Sequence, residues 1–386
     1  MTATFMHPRI LQLGGGAIDT IGDTLAKTGV RHPLIVTDPE MARLPAFERL
    51  TGALDAAGVS YGTFTGVVPD PTTTAVDAGV AAYRDGGHDG MIGFGGGSSL
   101  DTAKAIGILL GGGGQMRDWK VPAAPDVEVP PLIAVPTTAG TGSEVTKVTV
   151  ITDVETDEKM LIMGLSAVPA AAIVDYTLTL GKPFRLTADT GLDSLTHGIE
   201  AYVSRKANPH TDTFALSAMR VISANIRRAC FHGDDHDARE AMMLGAMHGG
   251  MAFANASVCL VHGMSRPIGA FFHVPHGMSN AMLLPEITAF SVEAAPERYA
   301  TCARTMGVTA PDSDDATACD DLIAALRQLN RDLEVPTPKS YGIDPERYQA
   351  VKETMAEQAL ASGSPGNNPR QPSKAEIMDL YDRVWA

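Results

Sequence analysis

Gly90-Met-Ile-Gly-Phe-Gly95-Gly-Gly97-Ser98-Ser99-Leu-Asp101-Thr-Ala-Lys104 decides the fold. An apolar run ends in consecutive glycines, and hydroxyls follow where the pattern predicts a helix start. A buried strand, a bare turn and a helix N-terminus in that order form a phosphate site, because open N–H groups and the positive dipole end meet a pyrophosphate. Gly95, Gly96, Gly97 and Ser98 are the candidate cradle, with Asp101 and Lys104 on the following helix. The motif is neither G-x-G-x-x-G nor a Walker A loop, so a plain Gly-rich turn is the competing reading.

Working outward, three further strands carry polar residues at their ends. His32-Pro-Leu-Ile-Val-Thr-Asp38 places a carboxylate where nucleotide-binding sheets hold a ribose. Asp38 there favours NAD over NADP by repelling a 2′-phosphate; capping the next helix is the alternative. Pro131-Leu-Ile-Ala-Val-Pro136 delivers Thr137, Thr138, Thr141 and Ser143 in a loop of hydroxyls and small residues, against which a ligand can lie. Residues 147–153 and 158–163 read as paired strands, with Lys159 either over the cofactor or at an exposed sheet edge. Ala171 to Asp175 reads as the last strand of the domain.

Composition narrows the function class. With 386 residues and 44% hydrophobic content the chain is long enough for two packed domains. A net charge of -15 without a basic stripe excludes a nucleic-acid partner. Four cysteines with no C-x-x-C pair argue against a disulfide scaffold or a thiolate metal site. No apolar run approaches the ~20 residues of a membrane helix. A cytoplasmic protein with no membrane partner is expected.

From Thr187 onward β-branched runs give way to Ala, Met and Leu in helical patterning, which places a boundary near Gly181-Lys-Pro183. The expected architecture is α/β plus all-α: a Rossmann-like dinucleotide-binding domain over 1–183 and an all-helical metal-binding domain over 184–386. Helices are expected over 190–203, 211–228, 238–254, 260–271 and 281–286. On the first of these, Asp193 and His197 stand one turn apart and project from one face, spaced to hold a divalent cation. His262 and His276 are candidates to complete the shell. Three imidazoles and a carboxylate suit Fe(II), Zn(II) or Mn(II). His232 and His236 repeat the one-turn spacing, but among Gly233 and aspartates they read as solvated.

Gly-Gly-Gly-Ser-Ser-Leu-Asp (95–101), Pro-Thr-Thr-Ala-Gly-Thr-Gly-Ser-Glu (136–144), Gly-Leu-Asp-Ser-Leu-Thr-His (191–197), Val-His-Gly-Met-Ser-Arg-Pro-Ile-Gly (261–269) and Pro-His-Gly-Met-Ser-Asn (275–280) together resemble the iron-containing, or group III, alcohol dehydrogenase family. The resemblance implies a metal-dependent, NAD-linked alcohol dehydrogenase or aldehyde reductase acting on a small alcohol or aldehyde. It implies Asp193, His197, His262 and His276 as ligands of a divalent metal, Fe(II) first, and Asp38, Thr138, Thr141, Ser143 and Lys159 as cofactor contacts. A homodimer or larger homo-oligomer is expected from the same likeness. A lyase of the dehydroquinate synthase type, which shares the fold, is the alternative.

One position departs from the pattern. Similar reductases carry a second histidine four residues after the one matching His262, where it serves proton relay; this chain has Arg266. Arginine is no general base near neutral pH, yet it clamps a carboxylate, phosphonate or sulfonate through two N–H bonds. Arg266 therefore either selects an anionic substrate or pairs with an acid structurally. His273 is the candidate replacement shuttle.

Overall fold

The computed structural model describes residues Thr2 to Trp385 and divides into two compact units, residues 4–180 and residues 181 onward. In the first unit, strands β1 (Ile10–Leu13), β2 (Pro33–Val36), β3 (Gly62–Phe64), β4 (Gly90–Gly95), β5 (Leu132–Pro136) and β8 (Ala171–Val174) form one sheet in the order β1-β8-β5-β4-β2-β3. Every pairing in it is parallel. Strands β6 (Val148–Asp153) and β7 (Glu158–Met163) form a separate antiparallel pair.

The sheet has helices on both faces, which explains its continuous apolar runs. Ile35, Ile92, Phe94, Ile133 and Ile173 pack with helices α1 (Ile21–Thr28) and α2 (Pro45–Ala56) through Ile21, Leu25, Leu50 and Leu54. Leu34, Val36, Met91 and Leu132 face the other way, towards Val76 and Val80 of α3 (Thr73–Asp85) and Ile106 of α4 (Gly97–Gly112). Although β8 is last in sequence, it lies inside the sheet between β1 and β5.

Helix α4 also anchors the loop after β5. The buried Lys104 ammonium donates to the carbonyl oxygens of Ser143 (2.6 Å), Thr146 (3.1 Å) and Val148 (2.8 Å) and to Thr146 Oγ1 (2.9 Å). One turn earlier, Asp101 accepts from Ser143 Oγ at 2.7 Å and from the Val150 amide at 2.9 Å. A buried lysine with four acceptors and a half-buried aspartate with two donors hold this loop against α4.

The second unit is helical. Helix α5 (Phe184–Val203) is buried along almost its whole length from Thr187 on, and α6 (Pro209–Phe231) and α7 (His236–Ala256) pack against it. Helices α8 (Leu260–Phe272) and α9 (His276–Ser291) follow, and further helices run to Val384. The largest departures from the expected helix boundaries are in α5 and α9. Helix α5 begins at Phe184, six residues before Thr190. Helix α9 spans residues 276–291 rather than 281–286, because Pro285 does not end it. The Ala281 carbonyl that Pro285 leaves without an amide accepts from Asn330 Nδ2 at 2.7 Å. All four cysteines are free and buried. Among the described residues no single helix is long and apolar enough to cross a membrane.

Candidate metal centre and nucleotide loops

Asp193 is the hub of the second unit's polar cluster. Its Oδ1 lies 3.4 Å from His262 Nε2 and 3.8 Å from both His197 Nε2 and His276 Nε2. Ligand atoms about 2.1 Å from a shared ion stand about 3.0 to 3.4 Å apart in octahedral or tetrahedral shells, so these separations match a donor set within a few tenths of an ångström. The donor atoms of Asp193, His262 and His276 all lie within 4.8 Å of one another. His197 falls outside that tightest group. Its ring stacks between His262 (centroids 4.7 Å apart) and Phe253 (4.2 Å), and its buried Nδ1 has no hydrogen-bond partner.

The charges suit a cation. Burial lowers the His197 pKa to about 3, so its ring is neutral and keeps a lone pair. Burial alone would raise the Asp193 carboxyl, but the surrounding imidazoles hold it well below the usual carboxylate range. Burial would lower His262, but hydrogen bonds to Asp193 and Glu200 outweigh it and raise the pKa to about 9. The cluster thus recruits positive charge. Asn280 Nδ2 sits among the same acceptors, 2.7 Å from Asp193 Oδ1 and 3.2 Å from both His262 Nε2 and His276 Nε2. An amide nitrogen has two hydrogens and cannot serve three acceptors, whereas a cation can. The residues present fit a divalent metal.

Glu200, not anticipated from the sequence, sets the orientation of His262. It is the third member of a 193, 197, 200 stripe on α5, and that spacing was the available signal. Its Oε2 accepts from His262 Nδ1 at 2.7 Å, which fixes the ring and leaves Nε2 facing Asp193 Oδ1 at 3.4 Å. The same carboxylate accepts from the Cys259 amide (2.9 Å) and the Val261 amide (2.6 Å), securing the start of α8. Asn280, one turn after His276, was also missed. Ser265 Oγ links the two helices, 2.6 Å from Ser279 Oγ.

The other predicted residues of this unit are less tightly placed. His273 is exposed at the C-terminal end of α8 with a left-handed backbone (φ 54°). Arg266 is half-buried on α8. His232 and His236 are exposed, as expected of solvated residues.

In the first unit, Gly95, Gly96, Gly97 and Ser98 join β4 to α4, and no side chain caps the helix start. Two of the three cradle glycines, Gly95 and Gly97, have no room for a side chain, whereas Gly96 would make only an ordinary contact. A Cβ on Gly97 would stand 2.8 Å from Thr141 Cγ2, and one on Gly96 would meet Thr138 at 3.6 Å. Gly95 adopts φ 145°, and a Cβ there would lie 2.4 Å from Ser99 Oγ. The geometry fits a pyrophosphate on the open α4 amides. Thr137 lies at the end of β5, and its buried hydroxyl, like that of Thr37 after β2, has no partner. Asp38 accommodates both readings: Oδ1 accepts from the Glu40 and Met41 amides at 3.0 and 2.8 Å, while Oδ2 lies 3.8 Å from the Cβ position at Gly95.

Three residues grouped with the cofactor contacts are engaged within the protein. Asp101 and Ser143 bond each other. Lys159 forms an ion pair with Asp70 at 2.9 Å, tying β7 to the loop before α3.

Comparison with known proteins agrees with both halves. Residues 8–176 match the model of iron-containing alcohol dehydrogenases, and residues 187–385 match the C-terminal model of the same family. The chain belongs to the iron-containing alcohol dehydrogenase family and is an oxidoreductase acting on alcohols. It is 36% identical to lactaldehyde reductase of Escherichia coli K12 over 375 residues, covering 96% of this chain and 97% of that protein. It is 35% identical to an NAD-dependent methanol dehydrogenase of Bacillus methanolicus, covering 98% and 99% of the two chains. The crystal structure of a 1,3-propanediol oxidoreductase superimposes with a TM-score of 0.96 at 35% identity, covering 100% of each chain. The lyase alternative is not favoured by these relatives.

Proposed function

We propose that the protein interconverts small alcohols and aldehydes using NAD(H) and a divalent metal, with residues 1–183 binding the dinucleotide and residues 184–386 the metal. The observation that carries the reading is the set of imidazole nitrogens 3.4 to 3.8 Å from Asp193 Oδ1. Asp193, His197, His262 and His276 hold the metal, Fe(II) in the first instance and Zn(II) or Mn(II) by the same donor chemistry. A metal bound there supplies Lewis acidity towards a substrate oxygen, and the nicotinamide carries the hydride.

The protein's own residues supply orientation. Glu200 keeps the proton of His262 on Nδ1, so Nε2 stays a donor. Gly95, Gly96, Gly97 and Ser98 hold the pyrophosphate, Thr137, Thr138 and Thr141 line the adjoining loop, and the second oxygen of Asp38 receives the ribose hydroxyls. That carboxylate supports NAD over NADP. Asp101, Ser143 and Lys104 hold the loop in place. His273, exposed at the end of α8, exchanges protons with solvent in place of the histidine that Arg266 replaces.

Elemental analysis of the purified protein and an NADH absorbance trace with propanal test the reading together. The expected result is about one divalent metal per chain and metal-dependent NADH oxidation. A protein that oxidises NADH equally well after complete metal removal would overturn it.

A further inference from the structure

Helix α8 presents three polar side chains next to the metal-ligand cluster: His262, Ser265 and Arg266. The first two are accounted for by Glu200, Asp193, Ser279 and His276. Arg266 is different. Among the described residues its guanidinium makes no hydrogen bond and no ion pair. The acid that acts on it electrostatically is Glu200. Both Glu200 oxygens already accept from Cys259, Val261 and His262. Arg239, enclosed on α7, by contrast donates to Gly233 O, Thr187 Oγ1 and Lys182 O.

A half-buried guanidinium with no protein acceptor has its N–H donors available to a ligand. Burial lowers its pKa from the ordinary value, yet an arginine stays charged at working pH. A fork of parallel N–H bonds suits a planar or tetrahedral oxyanion. Position adds to this. Arg266 follows His262 by one turn on the same face, a rise of about 6 Å. Ser265, beside it, already reaches His276 Nδ1 at 3.5 Å. The rise from His262 to Arg266 is comparable to the length of a short molecule carrying an oxygen at one end and an anion at the other.

We infer that Arg266 is a substrate-recognition residue and that the enzyme prefers short-chain aldehydes ending in an oxyanion: a carboxylate, phosphonate or sulfonate. This rests on the alcohol–aldehyde reading above. In the reductive direction the nicotinamide hydride passes to the carbonyl carbon and the oxygen takes a proton; the anionic end takes no part and only orients the chain. The negative overall charge of -15 gives no general attraction for such substrates, so discrimination is local to this guanidinium.

The test uses the purified, metal-loaded full chain with butanal and succinic semialdehyde, matched in carbon number, and with phosphonate- and sulfonate-ended aldehydes to rank the anions. The wild type should favour the best anionic aldehyde in kcat/KM by about 10- to 100-fold, mainly through KM. Arg266→Gln and Arg266→Met should bring that ratio towards one, and Arg266→Lys should restore part of it. A wild-type ratio at or below one for every anion, or a ratio unchanged in the folded variants, overturns the inference. If no aldehyde oxidises NADH, the alcohol–aldehyde reading fails. Calorimetry with succinate then still decides on Arg266: binding lost in Arg266→Gln upholds anion recognition, and absence of binding to the wild type overturns it.

Discussion

Glu200 Oε2 and His262 Nδ1 stand 2.7 Å apart inside the helical unit, and through that contact a residue of α5 sets the direction of a donor on α8. Replacing Glu200 by Gln puts an NH2 group among three donors that need acceptors. Metal affinity should fall about 10- to 100-fold, the usual effect of removing such a supporting carboxylate. Stability should fall by about 1–3 kcal/mol for a buried N–H left without its acceptor. Competition against a chelator of known affinity measures the first, denaturant unfolding the second. Unchanged metal affinity beside lost stability would reduce Glu200 to a helix anchor.

His262→Ala removes a donor and leaves the first unit untouched. Turnover should drop by more than about 100-fold, beyond the effect of a supporting residue. NADH binding, read by fluorescence titration, should stay within about twofold. Full activity in this variant would remove His262 from the metal set.

Gly95→Ala tests the cradle. The new methyl would meet Ser99 Oγ at 2.4 Å on a backbone at φ 145°. The variant should lose about 1–3 kcal/mol of stability from backbone strain, and NADH should bind about 10-fold more weakly as the cradle distorts. Titration of both proteins with NADH checks this, and unaltered binding would place the pyrophosphate elsewhere.

Glu144 gives a pH prediction. Burial pushes its pKa up to about 7, against the pull of its own backbone amide and Lys104. Between its ordinary value of 4.5 and about 7 the folded protein holds a proton that the unfolded chain releases. This contribution to stability is therefore complete below 4.5 and is lost as pH rises through 7. Glu144→Gln, always neutral, should raise the thermal midpoint by roughly 3–8 °C at pH 8 and by little at pH 5. Equal shifts at both values, followed by scanning calorimetry, would refute a proton on Glu144.

Much of this was legible in the primary structure because it follows from short-range periodicity. The strand, glycines and helix of residues 90–104 appear where the pattern puts them, and the one-turn spacing of Asp193 and His197 survives as a 3.8 Å approach. What escaped depends on contacts between distant segments. No local pattern says that β8 inserts between β1 and β5, that Asn330 satisfies the carbonyl freed by Pro285, or that Asp101 turns to Ser143. Glu200 and Asn280 were visible as residues one turn from a predicted ligand. Their meaning depends on which face α8 and α9 present, and that is decided by packing.

The arrangement of α8 and α9 bears on inheritance. His262, Ser265, Arg266, His276, Ser279 and Asn280 all come from one uninterrupted segment, residues 262–280. A sequence change confined to it alters donors, linkers and the guanidinium together, while the glycine cradle of the other unit is left as it was. On the reading of Arg266 proposed above, a short exchange within this segment would alter substrate preference and leave the glycine cradle as it is.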